Sequence, residues 1–526
     1  MTSILKYLNR ALLVLLLAAF AACSDNEGGN ESNGNGDDGN TETPADGDTY
    51  GYIKDTNGNP VEGVVVSDGY SCTATDAEGR YALTRNADAG FVFYSLPSAY
   101  KVSVDKTYKL PRFFARLQAG TARYDFTLEA LAAPEKRFDL ICIGDPQINE
   151  ASHAVRFKEE AGREIREYAA SAGVPCYGIT LGDHVNNKWT LFTNMVVALQ
   201  PEQTGVPVFA TIGNHDHEFP TADEKAARAK YESYFGPVDY SFNRGDVHVV
   251  SMDNVIHSCK ASADYEGGFT AAQYAWLKQD LSFVPKDKMV ILCVHIPFRG
   301  GWGTNSAHAD ADKYYDEVLD LLSQYEYAAI MSAHTHSNIN YIHRKNGKEI
   351  FEHVTGTTCG AWWRSTVCTE GTPIGFGLYR IDGNRMEEWA YRSVRHDEQF
   401  QIRLYRASDT FVGGAKYRFK QTGADQIVAN IWNWDPSWTV NVYENDVLSG
   451  QMTRNSDIDA WTVAYHIGLL NNTDSYRKSS DHMFHYTLKN PAAAVRVEAI
   501  DRFGNKYEQT VFTDPDSHPG IYHLDY

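Results

Sequence analysis

Side chains able to bind a metal crowd into five short clusters: Asp145-Pro146-Gln147, Asp183-His184, Asn214-His215-Asp216-His217-Glu218, His295, and His334-Thr335-His336. Imidazole, carboxylate and amide oxygen are ligand types that suit borderline divalent metals. Each cluster follows an apolar run of strand character: Phe138 to Ile143, Tyr177 to Leu181, Val206 to Ile212, Met289 to Val294 and Ala328 to Met331. A strand that empties into such residues reads as the carboxyl edge of an α/β sheet, where sites are built. Any one cluster reads equally well as a polar turn. Five in this order, each behind its own strand, point to a shared metal-holding site.

The segments between the strands supply the connections such a site needs. Helical patterns run over Val155 to Ser171 and Ala271 to Leu281, the second carrying Trp276 and Leu277 towards the core, and a further strand, Val247 to Met252, ends at Asp253. Strands alternating with helices across residues 135–394 are the α/β signature. The flanks differ. Residues 49–132 hold short alternating segments such as Gly51 to Lys54, Gly63 to Val66, Tyr81 to Leu83 and Phe91 to Tyr94, set apart by turns at Asn57-Gly58-Asn59-Pro60 and Glu78-Gly79. They predict a small β-sandwich, and the pattern from Gly51 to Tyr81 resembles the carboxypeptidase-regulatory-like module. Residues 398–526 alternate again, at Ile427 to Trp432, Val440 to Tyr443, Tyr486 to Leu488 and Ala494 to Ile500, and predict a second β-rich domain. Residues 1–22, with Lys6 and Arg10 ahead of the apolar run Ala11 to Ala22, read as a secretory signal too short to span a bilayer. Residues 23–48, acidic and without Lys or Arg beyond Cys23, read as a disordered tether.

The order of the clusters resembles that of the calcineurin-like metallophosphoesterases, whose blocks run D-x-H, G-D, G-N-H-D/E, H and G-H-x-H. The resemblance implies an α/β fold, a four-layer α/β/β/α sandwich, flanked here by two small all-β domains. It also implies two divalent metal ions. Asp183 would bridge them, Asp145, Gln147 and His336 would complete the first site, and Asn214, His295 and His334 the second. His215 would be the catalytic acid, held by Asp216. The implied activity is hydrolysis of a phosphodiester or pyrophosphate bond through a hydroxide bridging the metals. Two cations about 3.5–4 Å apart neutralise phosphoryl oxygens and lower the pKa of the water between them, while a protonated His supplies the leaving oxygen with its proton.

Two positions depart from the family pattern. Gln147 stands where most members have His, and Ala333 where Gly is usual. An amide oxygen is a harder and weaker ligand than imidazole, so the first metal should bind more loosely. Manganese is favoured, with iron, zinc or magnesium admissible. Within the superfamily, Asp145-Pro146-Gln147 resembles the manganese-dependent ADP-ribose and CDP-alcohol pyrophosphatases and a branch of serine/threonine protein phosphatases. The diester or pyrophosphate reading rests on the first branch. A serine/threonine-type or small-molecule phosphomonoesterase is the alternative. A rival from another class is a glycan-binding surface lipoprotein with a vestigial metal site.

Further residues are candidates for substrate contact. His217 stands where it could line the cleft, and Arg299 and Trp302 follow His295 in a loop able to cover the metals, the guanidinium pairing with phosphate oxygens. Trp362, beside Trp363, would stack on a base or sugar or close an apolar lid. Trp432, Trp434 and Trp438 fall within seven residues, as a glycan platform or as packing between domains. Ile431 to Trp438 and Asp501-Arg502-Phe503-Gly504-Asn505 carry a likeness to bacterial lipoproteins in which a metallophosphoesterase domain lies between N-terminal and C-terminal β-modules. The net charge of -20 argues against nucleic-acid binding, which needs clustered Lys and Arg, and says nothing against the expected substrate, a phosphorylated small molecule or lipid. Phe20-Ala21-Ala22-Cys23 resembles a lipobox. It implies lipidation of Cys23 and an extracytoplasmic protein anchored to the bilayer by an N-terminal acyl group, on an outer-membrane, periplasmic or cell-surface face. Cys359 and Cys368 are a possible disulfide pair.

Overall fold

Neighbouring residues of one strand end in two different cores. In the computed structural model, which describes residues 47–299, 313–409, 411, 425–473 and 478–512, Leu140 and Cys142 of the strand Arg137–Ile143 join one apolar cluster, and Ile141 and Ile143 join another. That is the period-two consequence of a sheet covered on both faces. The strand is central in a five-stranded sheet ordered Val208–Thr211, Cys176–Leu181, Arg137–Ile143, Gly375–Asp382, Arg385–Ser393. The first three run parallel and the last two are antiparallel additions. A second sheet, ordered Tyr240–Arg244, Val247–Ser251, Met289–Cys293, Tyr327–Ser332, Lys348–Val354, Ile339–Lys345, is parallel through its middle four strands and closed by antiparallel edges.

The two sheets meet face to face. Phe209 of the first stacks on Phe242 of the second, with centroids 3.9 Å apart and planes inclined by 3°. Phe157, Ile165 and Met195, from the helices Ala151–Phe157, Arg163–Ser171 and Phe192–Ala198, join Ile141 and Ile143 in the outer cluster. Trp276 and Leu277 of the helix Ala271–Ser282, and Val318 and Leu322 of the helix Tyr315–Leu322, are buried with residues of the six-stranded sheet. The mixed α/β sandwich is the architecture expected. Because the parallel strands of each sheet share a direction, the residues after Ile143, Leu181, Thr211, Cys293 and Ser332 all leave at carboxyl edges.

The flanking segments are all β. The N-terminal one has a three-stranded sheet (Arg80–Leu83, Thr49–Asp55, Phe126–Leu128) and a four-stranded sheet (Cys72–Ala74, Val65–Ser67, Phe91–Tyr94, Phe114–Arg116). It shares its core with the α/β sandwich: Phe113 packs on Tyr240 at 4.8 Å, and Trp276 Nε1 donates to Ser67 Oγ at 3.0 Å. The C-terminal one has two four-stranded antiparallel sheets, Arg403–Arg406, Gln426–Asn430, Ser479–Thr487, Thr453–Ile458 and Val447–Gln451, Thr439–Glu444, Val495–Ile500, Lys506–Val511.

Several expectations need amendment. The three clustered Trp form no common platform: Trp432 is buried beside Phe400, Trp438 stacks on Tyr507, and Trp434 is half-buried against Phe484. Cys359 and Cys368 are unpaired thiols, because each faces a different neighbour, His336 Nδ1 at 4.0 Å and Thr357 Oγ1 at 3.6 Å respectively. Cys23, the signal segment and Trp302 lie outside the described residues.

Trp276 is fully buried at the seam with the N-terminal strands. Trp276→Ala should cost about 3–5 kcal/mol, as for other large core truncations. In chemical denaturation followed by near-UV circular dichroism, the N-terminal sandwich should then loosen ahead of the main transition. An unshifted unfolding curve would contradict the shared core.

Candidate metal centre

All seven expected ligands converge. Asp183 is the hub: its Oδ1 accepts from the His215 backbone N–H at 2.8 Å, and its Oδ2 lies 3.3 Å from His295 Nε2 and 3.4 Å from Gln147 Nε2. His295 Nε2 is also 2.9 Å from Asn214 Oδ1 and 3.1 Å from His334 Nδ1. On the other side, Asp145 Oδ2 accepts from the His334 N–H at 3.0 Å, and Asp145 Oδ1 lies 3.6 Å from His336 Nε2. Ligand atoms of Asp183, His295 and His334 all fall within 4.8 Å of one another. The seven side chains come from five strand ends on two sheets, and all are buried.

Backbone geometry is unusual here. Asp145, Gln147, Asp183, His334 and His336 have φ of 37°, 35°, 50°, 66° and 55°, in a region that side-chain-bearing residues seldom adopt and that costs on the order of 1–3 kcal/mol each. Sharp turns off the strand ends aim successive side chains inward. Two glycines leave room for them. A Cβ on Gly182 (φ +95°) would meet His295 Nδ1 at 2.4 Å, and one on Gly213 would meet Asp183 N and Oδ1 at 2.3 Å.

Charge is arranged accordingly. Against burial, His295 and His215 hold Asp183 below the usual carboxylate range, and against burial Asp183 pushes His295 up to about 9. Burial pushes Asp145 well above its ordinary value and His336 down to about 3. Asp145 Oδ1 and Gln147 Oε1 are buried and, among the described residues, without a hydrogen-bond partner. Two buried acceptor oxygens without a hydrogen bond, on residues of one strand end, fit a cation, because buried acceptors are otherwise satisfied.

The remaining candidates divide. His215 is half-buried at the centre, but Asp216 does not hold it. The short turn Asn214–Asp216 folds the Asp216 carboxylate back onto the N–H groups of Gly213 and His184, at 3.0 and 2.8 Å, and onto His184 Nδ1 at 2.9 Å. His215 Nδ1 instead meets Asn187 Oδ1 at 2.8 Å, with Asn187 Nδ2 anchored on Ser262 Oγ at 3.0 Å. His217 does not line a cleft. It is 1% exposed, and its nitrogens are spent on Gly213 O at 2.9 Å and Asp253 Oδ2 at 3.1 Å. Trp362 packs on the His336 ring at 4.8 Å, while Trp363 is buried with Nε1 on Pro146 O. Arg299 is exposed and lies over Tyr341 at 5.5 Å.

Sequence reasoning missed Asn187 and Tyr265. Tyr265, on the small hairpin Val255–His257/Tyr265–Gly267, places its OH 3.3 Å from His334 Nε2. Neither has a spacing signature. Asn187, the second of two Asn after the Asp183 cluster, at least tolerates its left-handed φ of 55°.

Family models match along most of the chain: the N terminal of calcineurin-like phosphoesterase over residues 48–131, calcineurin-like phosphoesterase over 124–338, and the C terminal of calcineurin-like phosphoesterase over 352–507. The chain belongs to the calcineurin-like phosphoesterases. Purple acid phosphatase 23 and purple acid phosphatase 18 of Arabidopsis thaliana are 26% and 25% identical over 181 and 182 residues, covering 31% and 32% of this chain and 36% and 38% of theirs. The 5'-nucleotidase of Candida albicans aligns at a TM-score of 0.31 and 13% identity over 50% of this chain and 52% of its own. The calcineurin-like phosphoesterase family uses divalent metals, in keeping with this donor set.

His334 turns Nδ1 towards His295 and Nε2 towards Tyr265, so the tyrosine orients the ring from behind. Outer partners of this kind typically change metal affinity about 10-fold or more. Tyr265→Phe should weaken metal retention by about that factor in metal-buffer titrations. Equal affinity in the variant would exclude the role.

Proposed function

We propose that this chain is a metal-dependent phosphoester hydrolase whose preferred bond is a phosphodiester or a pyrophosphate. The observation that carries the reading is the pair of bare, buried oxygens on Asp145 and Gln147 beside the shared carboxylate of Asp183. Asp145, Gln147 and His336 would hold one divalent ion, Asn214, His295 and His334 another, with Asp183 common to both. Bound there, the ions supply positive charge against the anionic oxygens of the ester and make water more acidic.

The chain's own groups do the rest. Asn187 Oδ1 can only accept, so His215 Nδ1 carries a proton and donates it there. That fixes the ring through Nδ1, and in its doubly protonated form the ring would give the leaving oxygen the proton on Nε2, returning to the neutral imidazole that keeps its Nδ1 proton on Asn187. The backbone N–H of His215 holds Asp183 Oδ1, which ties the acid to the carboxylate that would be common to both ions. His184, with both ring nitrogens engaged by Asp216 and Thr180, braces the turn rather than reacting. Gln147, a neutral oxygen donor, favours manganese at the first position.

The preference for diesters or pyrophosphates is supported by the resemblance of Asp145-Pro146-Gln147 to the pyrophosphatase branch of the superfamily. A monoester reading has its own support in the likeness to two purple acid phosphatases. Both readings require Asp183. Asp183→Ala should lower hydrolysis of a chromogenic diester by a factor of about 10³ or more, and chelation should do the same reversibly. His215→Ala should slow esters with poor leaving groups about 10²-fold and spare those with good ones. Equal losses for both classes would remove the acid role. Faster turnover of the matching chromogenic monoester would favour the phosphomonoesterase.

A further inference from the structure

The strand Ile339–Lys345 is the outer edge of the six-stranded sheet, and beside it lies a cavity of about 250 Å³ closed by C-terminal residues. In a chain of net charge -20, the charges around this cavity are reversed: Arg299 and Arg454 against one carboxylate, Asp481, with Arg344 also lining it but paired with Glu349 at 2.8 Å. Two of the guanidinium groups are braced. Arg454 lies on the Trp434 ring at 4.5 Å and donates to the Asp481 carbonyl at 3.0 Å, and Arg299 lies on Tyr341 at 5.5 Å. A guanidinium stacked on a ring keeps its N–H edge available for an anion. Asn340, 6% exposed, also lines the cavity. Its Nδ2 donates to the carbonyls of Asn433 at 2.8 Å and Trp434 at 3.2 Å, which fixes the amide, and its Oδ1 has no hydrogen-bond partner among the described residues. A buried acceptor is unfavourable unless a donor reaches it.

We propose that this cavity is a binding site for an anionic sugar. A phosphate or carboxylate would pair with the N–H edges of Arg299 and Arg454, a ring hydroxyl would donate to Asn340 Oδ1, and the flanks of Tyr341 and Trp434 would wall the ring. A neutral sugar leaves the arginines unused. None of the seven candidate metal ligands lines the cavity, so the site stands whether or not the hydrolytic reading does.

The test is isothermal titration of the full chain, stripped of metal by a chelator so that the metal centre contributes no anion binding. Glucose 6-phosphate, glucuronate and glucose are the probes. Saturable binding of a charged sugar, with none for glucose at the same concentration, is expected, and whichever charged sugar binds names the anion as phosphate or carboxylate. Arg299→Gln and Arg454→Gln, both at exposed side chains, should each weaken it about tenfold or more, the effect of one charge-assisted hydrogen bond. Glucose binding as tightly as the charged sugars, no heat with either charged sugar, or affinities unchanged in both variants would each overturn the proposal.

Discussion

A carboxylate 1% exposed to water has to be compensated from within the protein, and Asp183 is such a carboxylate. The arrangement around it answers that requirement. The His215 N–H and the His295 ring supply donors and charge, and Gly213 has no side chain because its backbone passes so close to the Asp183 oxygen. Five of the seven surrounding ligands, Asp183 included, adopt left-handed backbone conformations. Such strain persists only when the surroundings over-determine it. Here two sheets packed through Phe209 and Phe242 fix the strand ends from which the turns spring.

The same constraint explains the shell behind the ligands. Asp216 and His184 interlock under the Asn214 turn, and His217 with Asp253 interlocks under the Gly213 carbonyl. These four buried polar residues close one another's hydrogen-bonding needs, so they stiffen the support and leave the reacting side to others. The C-terminal strands reinforce the last ligand pair. Asn338, two residues past His336, donates from Nδ2 to the Trp432 carbonyl and from its backbone N–H to Glu370 Oε1. Ser365 Oγ, downstream of Trp362, meets His466 Nε2 at 2.7 Å. C-terminal segments outside the strands therefore hold residues that follow His336 and Trp362 closely in the chain.

The strands and ligand clusters of the middle region were legible because burial on both faces writes near-continuous apolar runs, and each run stops at a polar cluster. Phe138 to Ile143 became Arg137–Ile143, and Met289 to Val294 became Met289–Cys293. Edge strands such as Ile339–Lys345 and Arg385–Ser393 were not legible. With solvent or other segments along one side, they carry Arg, Lys and Glu among their apolar residues. The C-terminal Trp cluster showed its aromatic content in sequence but not its destinations, since spacing does not tell which core a side chain will enter.

What the sequence determined by itself was the inventory and its order: which ligand types exist, which strand each follows, and that glycine precedes Asp183 and Asn214. Tertiary structure alone decided the partners. Asn187 rather than Asp216 holds His215, His217 turns away to Asp253, and Tyr265 stands behind His334. The physical reason is that hydrogen bonds of this kind join residues 28 to 69 positions apart, or depend on the sense of a single turn. Local patterning encodes the strands that bring such residues near, but not the angle at which each side chain arrives.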